Sequence, residues 1–238
     1  MSYFKFNNIS SESLPILLAE TPFRPSWVET VEEINVPGRA TPICRHNGAY
    51  RNQILTINAV ITDTSRLQEV YSALHGRGKL ILSTNPNEYV NAYVTELIPQ
   101  SVAMTMASLP ISFSCLPFAY SITDRIIDLS DATEYKTVLI NGTADYCEPI
   151  VTFTPSASGT VIIDTNGIEL KITVPSAAKT VVVDSSLMLI YYLDEDNQKT
   201  NLMPQTFGDL PLLHKGTNYI KYSGEVSAIN INVNERWL

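Results

Sequence analysis

Apolar and polar residues alternate along most of this chain. Leu55, Ile57, Ala59 and Ile61 are interleaved with Thr56, Asn58 and Val60, the period of a half-buried β-strand. Met1 to Phe6 alternates in the same way, as do Ile111, Phe113 and Cys115, spaced by Ser112 and Ser114. Lys79 to Ser83 is a short apolar run, and Tyr89 to Glu96, after the turn Asn85-Pro86-Asn87, is a further strand candidate. One segment breaks the pattern. Between Asp63 and Gly76 the apolar residues fall at 67, 70, 71 and 74, which is the stripe of a helix. Ser65 with Gln68 fits a capping box, and Gly76 stands where a helix needs a left-handed stop.

Beyond about Ser130 every run reads as strand. The runs are Val138 to Ile140, Ile150 to Thr154, Gly159 to Ile163, Ile168 to Val174, Thr180 to Asp184, Leu187 to Leu193, Tyr219 to Tyr222 and Val226 to Asn234. Asn141-Gly142 and Asn166-Gly167 are hairpin signals, because a type I′ turn needs positive φ at both central residues. Many short strands without helices between them predict a β-sandwich. The expected join lies in the polar stretch from Thr123 to Thr133, and the division is into residues 1–128 and 129–238.

Length supports this division: 238 residues suit one large domain or two small ones. With 45% apolar residues the chain has enough to bury, and disorder is excluded. The 17% of charged residues is low for a free-standing soluble protein. The net charge of −8 opposes nucleic-acid binding by bulk charge. The charges are also uneven. Up to Ser130 there are seven Arg and two Lys against eleven acidic residues; from Asp131 there are one Arg and six Lys against thirteen. Arg is favoured and Lys depleted in buried contacts, so the split points to an interface-forming N-terminal part and a solvated C-terminal part.

The sequence offers little chemistry. His46, His75 and His214 are scattered and no G-x-S-x-G occurs. Cys44, Cys115 and Cys147 are widely spaced, with no C-x-x-C to hold zinc or build a disulfide framework. Asp194-Glu195-Asp196 reads as a solvated loop and lacks calcium-loop spacing. Gly76-Arg77-Gly78 follows a helix rather than preceding one, the wrong end for a phosphate. Adjacent Tyr191 and Tyr192 must point to opposite faces, so one is expected outward. No catalytic, cofactor-binding or metal-binding residue is expected. Neither a signal peptide nor a membrane span is legible, so synthesis in a reducing cytoplasm is expected.

The order of these features resembles the distal tail protein (Dit) family of siphophages and related prophage tails. The resemblance rests on Val36-Pro37-Gly38-Arg39, on Gly48 to Asn52, on the helix ending in Gly76-Arg77-Gly78 and on Ile111 to Tyr120. In the second half it rests on Val181 to Asp184, on Gly208-Asp209-Leu210-Pro211-Leu212-Leu213 and on Ile231 to Trp237. Ala40-Thr41-Pro42 after Arg39 departs from the family's usual second glycine.

The resemblance implies a mainly β protein, not an enzyme. It would have a ring-forming, β-rich N-terminal belt domain with one α-helix, then a C-terminal sandwich like galectins and carbohydrate-binding modules. It further implies a virion protein of the phage tail tip, closed as a homo-hexamer. Its partners would be the tail tube protein, the tail-associated tip protein and receptor-binding proteins, and DNA would pass through its lumen without specific binding. Arg39, Arg45 and Arg51 are the candidate interface residues. The alternative is a carbohydrate-binding module for host cell-surface sugars.

Overall fold

A computed structural model describes residues 2–102, 105–132 and 134–238. Met1, at the start of the first expected strand, and Thr133, at the end of the expected join, lie outside the described residues. The chain divides into two compact units, residues 1–122 with Leu238, and residues 123–237.

The strands of the first unit are β1 (Phe4–Phe6), β2 (Ile9–Ser10), β3 (Ile16–Leu18), β4 (Val28–Ile34), β5 (Ile43–Arg51) and β6 (Gln53–Ile61). After the helix α1 (Leu67–Ala73) come β7 (Arg77–Leu82), β8 (Glu88–Leu97), β9 (Ser101–Val102) and β10 (Ala107–Ser121). Seven strands follow one antiparallel path in the order β2-β1-β7-β8-β10-β6-β3, and β9 pairs with β10 beside it. Alternation fixes its register. Leu55, Ile57, Ala59 and Ile61 are all buried, and β6 pairs Ile57 with Ile111 and Leu55 with Phe113. A one-residue slip would turn this whole row to solvent. Phe4 and Phe6 meet Phe113 at ring-centroid distances of 5.7 and 5.4 Å. Burying each ring stabilises the unit by about 1.5–3 kcal/mol.

The expected helix is there, with Val70 and Leu74 buried on its inner face. Its cap differs from the expected box. A 3₁₀ turn, Thr64–Arg66, precedes α1, and Asp63 caps that turn by accepting from the Ser65 amide at 3.0 Å. The same Asp63 oxygen also accepts from the Ser65 hydroxyl at 2.6 Å, so Ser65 is held by the cap instead of supplying it. Those two bonds hold the Asp63 carboxyl below the usual carboxylate range. Gly76 has φ +72° at the helix exit, as expected.

The second unit contains β11 (Ile126–Asp128), β12 (Lys136–Ile140), β13 (Tyr146–Cys147), β14 (Ile150–Pro155), β15 (Gly159–Thr165), β16 (Ile168–Val174) and β17 (Thr180–Asp184). It continues with β18 (Leu189–Leu193), β19 (Lys199–Asn201), β20 (Thr206–Gly208), β21 (Leu213–His214), β22 (Gly216–Ser223), β23 (Val226–Asn232) and β24 (Arg236–Trp237). Two sheets, β11-β23-β14-β17-β18-β19 and β12-β22-β15-β16-β20, share one core. Val151, Phe153 and Ile231 reach it from the first sheet, and Val138, Ile163 and Ile172 from the second. This is a β-sandwich, as the strand spacing predicts.

Three local expectations are corrected. Asn166-Gly167 turns β15 into β16 with φ +56° and +85°, but Asn141-Gly142 makes no hairpin. There, β12 pairs with β22, and the Glu235 carboxylate takes both the Asn141 and Gly142 amides. Gly142 also lies against the Arg236 carbonyl, where a Cβ would collide. Leu187 and Met188 do not begin a strand. Asp184 Oδ1 accepts from the Ser186 and Leu187 amides at 3.0 Å each, which bends the chain, and Met188 takes φ +53°. The last long strand stops at Asn232, and Asn234 takes φ +50°.

Candidate functional site

The chain brings Arg39, Arg45 and Arg51 onto one element. β4 and β5 form an antiparallel ribbon that is its own two-stranded sheet. Arg39 lies in the loop joining the strands, Arg45 within β5, and Arg51 at its end; all three are exposed. The loop begins with a tight turn in which the Arg39 amide bonds the Val36 carbonyl at 3.1 Å. Pro37 and Gly38 occupy its central positions. Gly38 has φ +83°, which a type II turn requires at its third residue. The departure at Ala40-Thr41-Pro42 thus falls after the turn.

The root of the ribbon is anchored by aromatics. Trp27 stands edge-on to Tyr50 at 5.5 Å, and Tyr50 edge-on to Phe118 at 5.5 Å. Phe118 can reach because β10 bulges against β8 between Cys115 and Ala119, where four steps on one strand match two on the other. A bulge re-aims the side chains within it. Further out the ribbon exposes Val28, Ile34, Val36 and Ile43, and Phe23 just before it is exposed too.

Sequence reasoning missed the acidic strand that pairs with the one bearing Arg45 and Arg51. β4 carries Glu29, Glu32 and Glu33, and Glu32 lies directly across from Arg45. His46 Nδ1 is 3.1 Å from the Glu29 carboxylate. The signal was present: β-branched Val28, Thr30, Val31 and Ile34 cluster ahead of Pro37-Gly38. The ribbon offers one strand rich in carboxylates and one bearing guanidiniums, with apolar residues among them.

Other candidate chemistry stays dispersed. His75 Nδ1 is 2.6 Å from the Ser72 carbonyl at the helix end, and His214 pairs through its backbone with Tyr146. Asp194 accepts from the Asp196 and Gln198 amides at 3.0 and 2.8 Å, making the acidic run a turn between β18 and β19. Tyr192 packs against the sandwich core, while Tyr191 lies outward beneath the Lys199 ammonium at 4.8 Å. The three cysteines are unpaired, with Cys115 and Cys147 buried and Cys44 exposed. Among the described residues no cluster of His, Cys, Asp or Glu could hold a metal ion, and no helix is long and apolar enough to cross a membrane.

No protein-family model matches the chain, and no curated protein does. Among solved structures, the crystal structure of the SPP1 Dit (gp 19.1) protein, described as a paradigm of the hub adsorption apparatus in phages infecting Gram-positive bacteria, matches with a TM-score of 0.77. The alignment covers 100% of both chains at 14% identity. Over its whole length, then, this mainly β chain has the fold of SPP1 Dit, the fold of the family its sequence resembles.

Proposed function

We propose that this protein is a structural component of a phage tail tip, a hub between the tail tube and the adhesion apparatus. The full-length likeness to a hub adsorption protein carries this reading. In it, six copies close head to tail into a ring through the N-terminal domain, residues 1–128, and the C-terminal sandwich, residues 129–238, carries the tip and receptor-binding proteins. The β4–β5 ribbon suits such a contact. A heterologous interface joins two different patches of the same chain, and a ribbon with carboxylates on one strand and guanidiniums on the other supplies both signs. Its unpaired strand edges and exposed apolar residues would also be covered there. An acidic ring, six times −8 or −48 in all, would let DNA through without retaining it. No catalytic step is assigned.

Mass measurement tests the reading. Six copies of 26.4 kDa give about 158 kDa, and micrographs should show rings with a central hole. A chain that stays monomeric alone and with its tail partners would overturn it.

One observation favours a second reading, a sugar-binding module of the galectin or carbohydrate-binding type. On the second sheet Tyr135 and Tyr219 are exposed and stand edge to face at 6.5 Å. Tyr135 donates to Asp164 at 2.8 Å, next to a shallow cavity of about 180 Å³ lined by Asp164, Glu169 and Lys221. Lys221 already covers Tyr135 at 4.3 Å, which takes one ring face from any sugar. Specific hits on a glycan array, lost in Tyr219→Ala, would establish this reading.

A further inference from the structure

The second unit holds a cavity of about 370 Å³, within the roughly 300–1,000 Å³ of ligand pockets. Three turns form it: the β15–β16 turn with Ile168, the β17–β18 turn with Ser185 and Met188, and the segment Asp209 to Leu212 between β20 and β21. Its lining is mostly apolar, through Ile168, Met188, Leu210, Pro211 and Leu212.

Three observations mark this cavity as built for a ligand. First, Thr165 and Ser185 line it, each only 4% exposed, and their hydroxyl oxygens have no hydrogen-bond partner among the described residues. A buried polar group left unpaired loses its hydration without compensation, so two together call for a reason. Second, the rim is held in a strained shape. Met188 takes φ +53° and is 72% exposed, beside Leu187 at 65%. A left-handed backbone at a long apolar residue is uncommon and strained. Asp184 holds the turn in place, so the two apolar side chains are presented to solvent rather than folded inward. Third, the charge has one sign. Glu148 is neutralised by Arg236 at 2.9 Å, which leaves the Asp209 carboxylate without a partner among the described residues. The unit around it, residues 123–237, carries fifteen acidic and eight basic side chains, a net charge of −7.

We infer that this cavity is the docking site for a basic, apolar-flanked segment of a partner protein, its aliphatic side chain against Met188 and Leu212 and its cation at Asp209. The charge decides the partner. A second copy of this acidic unit would be repelled. A sugar is disfavoured because Tyr146, the one Phe, Tyr or Trp among the lining residues, already carries the Arg236 guanidinium at 4.6 Å. Exposed Met suits a docking surface, since its flexible thioether adapts to a partner's shape. The inference deepens the hub reading and rests on it for the partner being a protein.

The test uses the full chain with labelled methionine methyls and three probes: the capped tripeptide leucyl-lysyl-leucine, its glutamyl counterpart, and N-acetylglucosamine. The lysyl peptide should shift the Met188 methyl saturably and the glutamyl peptide should not. Asp209→Lys should weaken the lysyl peptide about fivefold or more, as expected for one removed charge pair, and improve the glutamyl one. No shift with any probe, equal shifts with both peptides, or a shift with the sugar alone would overturn the inference. A hexamer that ignores the peptide refutes the cavity and leaves the ring standing; a monomer that binds it does the reverse.

Discussion

The guanidinium of Arg236 lies 2.9 Å from the Glu148 carboxylate, while its Nε donates to the Tyr146 carbonyl at 2.8 Å, with Arg236 itself only 4% exposed. A cation this deep is tolerable only while paired. Arg236→Met should lower stability by about 3 kcal/mol, the lower end for breaking a buried pair because Glu148 keeps some contact with water. Denaturant melts would show it, and Glu148→Gln should cost less. Equal, small losses would mean the pair is not buried in solution.

Asn218 predicts a larger local effect than its size suggests. It is fully buried and bridges the bend between β21 and β22. Its Oδ1 accepts from the His214 amide at 2.8 Å and from Asn166 Nδ2 at 2.9 Å, and its Nδ2 donates to the His214 and Gly216 carbonyls. Asn218→Ala orphans several backbone groups at once and should cost about 3 kcal/mol. Asn166→Gly keeps the turn's positive φ but loses the bonds to Asn218 and to the Tyr219 amide, and should cost about half as much. Thermal melts of the two variants side by side check the ranking.

Charge reversal tests the ribbon. Arg39→Glu, Arg45→Glu and Arg51→Glu together should shift the mass toward monomer, whereas reversing Lys171, Lys179 and Lys199 should not. Equal effects would remove the ribbon from the interface. Cys44 supplies a second readout, because it is exposed on β5 opposite Glu33. Its reaction with a thiol reagent should slow on assembly and recover in the triple variant.

The buried thiols predict an alkaline limit. Burial pushes Cys115 up to about 11 from 9.0, and raises Cys147 as well. The folded state therefore holds these protons more tightly than the unfolded one. The stability linked to them is whole below pH 9 and drains away as pH rises toward 11. Replacing both cysteines by Ala should flatten part of that decline in a melting series from pH 8 to 11. At neutral pH only Cys44 should react quickly.

How much of this was legible depended on whether local chemistry or distant neighbours decided each element. The alternation around Ile57 and the stripe through Val70 and Leu74 report burial directly, so strands and helix could be read from them. The two Asn-Gly pairs are chemically identical, and only Asn166-Gly167 turns, because Glu235, ninety-odd residues away, captures the amides of the other. The proposed interface was half legible. Three arginines stood out by type, but Glu32, across from Arg45, became visible as a partner only once β4 and β5 were paired in register. The cavity was not legible at all. Its lining comes from turns scattered between Tyr146 and His214, and its signature is two hydroxyls lacking partners.

The ribbon's isolation ties its own order to its surroundings. Two strands with no sheet to lie on are marginal in water, and here the Trp27, Tyr50 and Phe118 rings pin the root. The outer half, from Glu32 through the Gly38 turn to Arg45, lies beyond those rings. If copies close into the proposed ring through this ribbon, each neighbour that docks would stiffen one arm and prepare it to receive the next, so closure should be abrupt in concentration, with few open chains between the single copy and the finished ring.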